Sequence, residues 1–145
     1  MNISFRGLFI ILIVALCTNA CSKSNGVEAV PPQSVKWSID NGTIQEAETI
    51  TFINVANYNY VYATKGTTDF YFATSSTLVG TYSPLSANGT MGLTVAGTQY
   101  ANLGCEITIN SNANSRLKGT FTGTFAIVNV DTISLTGTFE DVVYH

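Results

Sequence analysis

The chain has 145 residues, of which 10% are charged and 46% are hydrophobic, and its formal net charge is −3 at pH 7. Its few Lys and Arg residues are scattered, which argues against nucleic-acid binding because phosphate backbones are held by clustered cations. The single histidine, His145, is the last residue, so triads based on histidine are excluded. We expect no enzymatic activity, no cofactor and no metal site.

The first twenty residues, MNISFRGLFIILIVALCTNA, have the pattern of a secretory signal peptide. Arg6 precedes an apolar run from Leu8 to Cys17. This run has the length of a signal-peptide h-region, whereas a helix that spans a membrane needs roughly 20 apolar residues. We therefore predict that residues 1–20 are a signal peptide and that the chain is exported.

The expected cleavage site makes Cys21 the first mature residue by either of two routes. Ala20 stands directly before Cys21 as a lipobox requires, and Thr18 with Ala20 also satisfies the small-x-small rule of ordinary signal peptidase. We favour lipid attachment at Cys21, which predicts a lipoprotein anchored in the cell envelope at the outer membrane, on either its surface or its periplasmic face. The alternative is a soluble secreted domain, in which a disulfide between Cys21 and Cys105 becomes available.

Residues 21–34, CSKSNGVEAVPPQS, have a composition that suits a flexible tether. They are rich in Ser, Asn and Gly and contain a Pro-Pro pair, so they offer little apolar surface to bury. Residues 35–145 are expected to form one domain, which is long enough to bury a core without disulfides.

The sequence of this domain predicts β-strands throughout, because apolar residues alternate with polar ones and no helical apolar stripe is present. Turn signals such as DNGT from Asp40 and KGTT from Lys65 separate the strands. The pattern predicts an all-β fold, a single antiparallel β-sandwich or barrel of about eight short strands. In chain order the predicted strands are VKWSI from Val35, ETITFINVA from Glu48, YNYVYAT from Tyr58, DFYFAT from Asp69, LVGTY from Leu78, TMGLTV from Thr90, CEITIN from Cys105, and two within LKGTFTGTFAIVNVDTISLTGTFEDV from Leu117.

The last two strands have the clearest pattern, with apolar residues at odd positions on both arms. This parity requires a connecting loop with an odd number of residues. Pairing the arms about Val130 predicts Phe121 opposite Phe139 and Gly123 opposite Gly137. Opposed glycines would leave a gap that a neighbouring aromatic ring fills or at which the strands bend.

Three motifs in residues 79–143 carry a family resemblance: GTYSPL, ITINSNANSRLKGTF and ISLTGTFEDV. They resemble the β-rich domain of small uncharacterised lipoproteins of Bacteroidota, with its C-terminal Gly-Thr-Phe strand motifs. The segment ACSKSN is similar to the start of mature lipoproteins in that phylum. The resemblance implies a lipid-anchored β-domain and assigns no catalytic or ligand-binding residue.

Four tyrosines are the candidate binding residues. Tyr58, Tyr60 and Tyr62 share one face of a predicted strand, and Tyr71 lies on the next strand. A tyrosine ring can be buried while its hydroxyl stays in water. The face is therefore either the packed side of a hairpin or an exposed aromatic platform that stacks on sugar rings or anchors a protein partner.

The remaining candidate groups are read as structural. The acidic pairs Glu46 with Glu48 and Glu140 with Asp141 are interpreted as solvated charges at strand edges. Cys105 is interpreted as a buried, inert thiol because it is in register with Ile107 and Ile109.

Together these features predict a membrane-anchored, non-enzymatic envelope lipoprotein that serves as a binding or structural module. The alternatives are a glycan-binding module that uses the aromatic strand face, a carrier of a small ligand, and a soluble secreted β-domain. The expected partners are the membrane, through the N-terminal lipid, and a glycan or an envelope protein.

Overall fold

The computed structural model describes residues 30–127, 130 and 132–145. The predicted signal peptide and Cys21 lie outside the described residues. Two residues of the predicted tether contact the domain: the carbonyl of Pro31 accepts from Arg116 Nη1 at 3.0 Å, and Gln33 Oε1 accepts from the amide of Val143 at 3.0 Å.

The described residues form ten strands and a single 3-10 turn (Pro84–Ser86), with no α-helix among them. All the strand pairs are antiparallel, which confirms the prediction of an antiparallel all-β domain. In chain order the strands are β1 (Ser34–Ile39), β2 (Gln45–Glu46), β3 (Thr49–Val55), β4 (Tyr58–Lys65), β5 (Thr68–Thr74), β6 (Gly80–Tyr82), β7 (Gly89–Val95), β8 (Thr98–Ala113), β9 (Arg116–Ala126) and β10 (Thr132–Val143).

The prediction of about eight strands, given as nine segments, missed the two-residue strand β2, and the pattern placed the start of β8 too late. Sequence alternation identified this strand from Cys105, whereas it begins at Thr98 and is 16 residues long. Its pairing with β9 shifts register between Asn102 and Gly104 and again between Ile109 and Ser111. Each β-bulge inserts a residue and interrupts the period of two, so the first part of β8 does not alternate as a regular strand does.

The strands follow one path in space, β2-β1-β10-β9-β8-β7-β5-β4-β3, and β6 also pairs with β8. The sheet curls into a half-barrel. Strand β8 allows this curvature because it pairs with β7 near its start and with β6 near its end. At the other side, the residues between β2 and β3 donate to two strands: Ala47 N to Val35 O at 2.9 Å and Glu48 N to Thr64 O at 2.8 Å.

Aromatic rings from the two sides of the curled sheet form the core. Trp37 on β1 contacts Phe70 on β5 edge to face, with ring centroids 4.9 Å apart. Phe72 lies 5.5 Å from Phe121 on β9 and 4.8 Å from Phe139 on β10, centroid to centroid. All five side chains are buried, as are Val61 on β4 and Leu93 on β7. The alternate residues of β4, β5 and β7 therefore face outward.

The β9–β10 hairpin confirms the predicted parity and corrects the predicted register by two residues. Phe121 pairs with Gly137 and Gly119 pairs with Phe139, instead of phenylalanine with phenylalanine. The connecting residues, 127–131, are odd in number, as predicted. A phenylalanine ring beside a glycine fills the space of the missing side chain, whereas opposed glycines would leave it empty.

The turn predicted after β1 is confirmed, and a second tight turn joins β8 to β9. Asp40 and Asn41 have φ values of 49° and 57°, and Asn114 and Ser115 have 54° and 57°. Successive left-handed residues form the tight turn whose twist matches an antiparallel hairpin, and Asn and Asp tolerate this backbone region better than other side chains do.

Candidate functional site

The structure brings the four candidate tyrosines together on the outer face of the curled sheet. Tyr58, Tyr60 and Tyr62 alternate along β4, and Tyr71 on β5 is the registered partner of Tyr62. Inward-facing neighbours such as Val61 are buried, which forces the tyrosines outward. We call Tyr58, Tyr60, Tyr62 and Tyr71 the tyrosine cluster.

The rings of the tyrosine cluster contact one another. Tyr60 and Tyr62 are nearly parallel, with an interplanar angle of 16° and centroids 5.9 Å apart. Tyr71 lies 5.7 Å from Tyr60 and 5.5 Å from Tyr62, and Tyr58 lies 6.3 Å from Tyr60. These spacings are within the range of favourable aromatic pairs.

The tyrosine cluster is partly open to solvent. Tyr62 is 38% exposed, and the other three side chains are half-buried. The Tyr58 hydroxyl donates a hydrogen bond to the carbonyl oxygen of Ala87 at 2.8 Å, which fixes the Tyr58 end of the tyrosine cluster. The face is therefore partly a packed side of the hairpin and partly an aromatic platform, since the rings pack on one another and still present aromatic surface to solvent.

Tyr71 lies at the centre of the arrangement and stays protonated at neutral pH. Burial raises the pKa of its phenol, and the neighbouring Tyr60 and Tyr62 raise this pKa further. The surface that it presents is thus an uncharged ring with a hydroxyl that can donate or accept a hydrogen bond.

A glycine beside Tyr71 opens a groove next to the tyrosine cluster. Gly92 on β7 is the registered partner of Tyr71, and a Cβ at this position would collide with the Tyr71 ring. The ring therefore lies over Gly92. The groove has a volume of about 450 Å³ and continues to β8, and we call it the Gly92 groove. Its lining includes Tyr71, Thr90, Gly92, Gln99 and Asn102.

Asn102 lies at the first bulge of β8 and lines the Gly92 groove. Its Nδ2 donates to the carbonyl of Met91 at 2.9 Å and contacts Cys105 Sγ at 3.5 Å. With the amide nitrogen held in this way, Oδ1 is buried and accepts no hydrogen bond from any described residue. Buried acceptors normally have a donor, so Oδ1 is an exception among the described residues.

Sequence reasoning grouped the tyrosines but missed Gly92, Gln99 and Asn102. A glycine within a strand pattern is itself a signal of close approach by a neighbouring group, and Gly92 in TMGLTV gave that signal. Gln99 and Asn102 gave none, because they lie in the irregular part of β8.

Cys105 is half-buried against the core and not fully buried as predicted. Cys105 stays in register with Ile107 and Ile109 in the pairing with β9, and it lies at the end of this row, directly after the bulge between Asn102 and Gly104. Burial raises the pKa of its thiol, so the thiolate, which is the reactive form, is disfavoured at neutral pH.

Of the carboxylates predicted to be solvated, Asp141 is buried, whereas its neighbour Glu140 is exposed as predicted. Asp141 is only 8% exposed and lies 3.4 Å from Lys118 Nζ. Glu46 and Glu48 are exposed, as expected, and lie 3.8 Å from Lys36 and 3.3 Å from Lys65 respectively. The amide of Gly66 and the Lys65 ammonium lower the pKa of Glu48. These carboxylates are accounted for by local ion pairs.

Within the described ranges, no group of three or more His, Cys, Asp or Glu side chains is placed to hold a metal ion. The described residues also contain no helix long and apolar enough to cross a membrane. No family model matches the chain, and neither a curated protein nor a solved structure matches it.

Proposed function

We propose that this protein is a lipid-anchored envelope domain that binds its ligand, without catalysis, on the tyrosine cluster. The observation that carries the proposal is the row of four mutually contacting tyrosines, partly exposed on the outer face of a rigid sheet. A residue on a strand is held more precisely than one on a loop, and rigid aromatic side chains bind with little loss of conformational entropy.

The proposed anchor is the lipid on Cys21. Each buried methylene contributes about 0.8 kcal/mol, so two or more acyl chains would hold the domain in a membrane stably. The resemblance of residues 79–143 to lipoproteins of Bacteroidota supports the same reading and an outer-membrane location.

The ligand class that fits the tyrosine cluster best is a neutral glycan. Sugar rings present apolar C–H faces that stack on aromatic rings and hydroxyl groups that hydrogen-bond at their edges. The outward residues around the cluster include Thr51, Thr64 and Thr90, which are uncharged and supply hydroxyls. On the β3 side of the cluster, the exposed side chains of Ile53 and Val55 pair with Tyr60 and Tyr58, so a protein partner is the second candidate ligand.

We also propose that the sheet closes as a barrel rather than separating into a sandwich. The support is the pair of backbone hydrogen bonds from Ala47 to Val35 and from Glu48 to Thr64, which join the two ends of the strand order. Closure predicts slow hydrogen exchange at both amides. Exchange as fast as in an open loop would favour the sandwich.

The binding proposal is tested by titrating the mature protein with soluble neutral polysaccharides while following tyrosine and tryptophan fluorescence and calorimetric heat. Tyr62→Ala removes the most exposed ring of the cluster and should weaken binding at least about tenfold, or 1.4 kcal/mol. Thr122→Ala, at an exposed position on β9, is the matched control and should leave the affinity unchanged.

Two results would contradict the proposal. One is the absence of binding across a broad panel of neutral glycans. The other is an equal effect of Tyr62→Ala and Thr122→Ala in proteins that circular dichroism shows to be folded, since this would mean that the binding surface is elsewhere.

A further inference from the structure

The tyrosine cluster and the Gly92 groove are parts of one row that crosses the sheet. Tyr62 on β4 pairs with Tyr71 on β5, and Tyr71 pairs with Gly92 on β7. The groove carries the row on to Gln99 and Asn102 of β8. Three strand spacings separate β4 from β8, so the row is roughly 14 Å long, which exceeds the length of a single sugar ring.

We propose that the ligand is a linear, uncharged glycan that lies across the strands from β4 to β8. Its units stack on the tyrosine cluster at one end and occupy the Gly92 groove as a second subsite at the other. This inference rests on the proposed function and extends it from a binding face to a chain-shaped ligand with a specificity-determining residue, Gly92.

Gly92 permits both halves of this site. Its lack of a side chain lets the Tyr71 ring lie flat over β7, because a Cβ would collide with that ring. Gly92 also lines the groove beside the ring. A chain that leaves the tyrosine cluster therefore meets a depression, and a side chain at this position would displace the Tyr71 ring between them.

The groove offers hydrogen-bonding groups that suit hydroxyls. Thr90 and Gln99 supply uncharged donors and acceptors. Asn102 Oδ1 is buried without a donor among the described residues, while its Nδ2 is engaged by Met91 O at 2.9 Å. Because this oxygen is shielded from solvent, the hydrogen bonds to a sugar hydroxyl in the groove would come from Thr90 and Gln99.

The charges of this face favour an uncharged chain. The outward residues of β4, β5 and β7 are Tyr, Thr, Ala and Gly, apart from Asp69 near the start of β5. No Lys or Arg lines the groove, so the carboxylates or sulfates of an acidic glycan would find no cation to pair with there and would lie on the same face as Asp69.

The test is a length series on the mature protein. The probes are linear β-1,4-linked oligosaccharides of glucose, mannose and xylose, from disaccharides to hexasaccharides, with oligogalacturonides of equal length as the acidic comparison. The variant Gln99→Trp fills the groove and leaves the tyrosine cluster intact. Thr122→Trp is the matched control, because it adds the same side chain at an exposed strand position outside the groove lining.

We expect the affinity of the unmodified protein for one neutral series to rise at least about tenfold from disaccharide to hexasaccharide. Gln99→Trp should abolish that gain and retain disaccharide binding, Thr122→Trp should keep the gain, and oligogalacturonides should bind more weakly at every length.

The outcomes separate the two proposals. Binding that is independent of length, or a length gain that survives Gln99→Trp, overturns the second subsite and leaves the proposed function standing. Tighter binding of oligogalacturonides overturns the uncharged ligand. Absence of binding to every neutral series, with no effect of Tyr62→Ala, overturns both proposals.

Discussion

The ring of Phe121 on β9 lies over Gly137, its registered partner on β10. A Cβ at Gly137 would collide with that ring and with the carbonyl oxygen of Lys36 on β1. The reciprocal arrangement places Phe139 over Gly119. Gly119 and Gly137 of the Gly-Thr-Phe motifs are thus packing requirements, each one paired with the phenylalanine of the neighbouring strand, whereas a Cβ at Gly123 would meet the ring of Phe125 on its own strand.

Gly137→Ala should destabilise the domain by about 1 to 3 kcal/mol, because the added methyl overfills a packed core next to a rigid carbonyl. Gly104→Ala is the matched control, since a Cβ there meets nothing within 4 Å. Urea unfolding followed by tryptophan fluorescence measures both. Equal midpoints for the two variants would show that the observed register of β9 and β10 is wrong.

Asp141 should tolerate asparagine better than valine. It lies in the bulge that follows Phe139, with a left-handed φ of 52°, and pairs with Lys118 at 3.4 Å. Asparagine accepts this backbone region and loses only the ion pair, whereas a β-branched residue adds about 1 to 2 kcal/mol of strain. Thermal unfolding of Asp141→Asn and Asp141→Val tests the order, and equal stability would argue against the left-handed bulge.

Tyr71 should ionise at a higher pH than an ordinary tyrosine does. Burial and its tyrosine neighbours raise its folded-state pKa above the ordinary value of 10.0. A raised pKa stabilises the folded state fully below the unfolded value, and this contribution is lost as the pH rises through the folded pKa. In an alkaline titration followed by tyrosinate absorbance, Tyr71→Phe should remove the step at the highest pH. It should also reduce the loss of stability above about pH 10.

The control for this titration is Tyr144→Phe, which removes a tyrosine outside the cluster and should keep the step at the highest pH. If Tyr144→Phe and Tyr71→Phe gave the same absorbance curve, the contacts of Tyr71 with Tyr60 and Tyr62 would not persist in solution.

The intact mass of the protein from its own cells should fit residues 21–145 plus acyl groups, because we propose that Cys21 carries the lipid. Cys21→Ala should move the protein from the membrane fraction to the soluble fraction. An unmodified mass, short by the hydrogens of one disulfide, would instead identify a soluble secreted domain closed by Cys21 and Cys105.

Several features of the fold and site were predictable because they depend on local alternation. The odd-numbered apolar residues of β9 and β10 face the core, and the parity of their loop follows from the period of two. The same period placed Tyr58, Tyr60 and Tyr62 on one face before any strand partner was known. The left-handed turn at Asp40 and Asn41 was marked by residues that tolerate that backbone region.

What the sequence alone determined is therefore which residues share a face of each strand, because side-chain direction alternates with every residue. Tertiary structure decided which faces meet. The phenylalanines of β9 and β10 pair with glycines because this register fills space, and the bulge in β8 brings Asn102 beside Gly92 from a segment without regular alternation. The Gly92 groove arises from this meeting of three strands, and a periodic pattern within one strand carries no information about a neighbour distant in the chain.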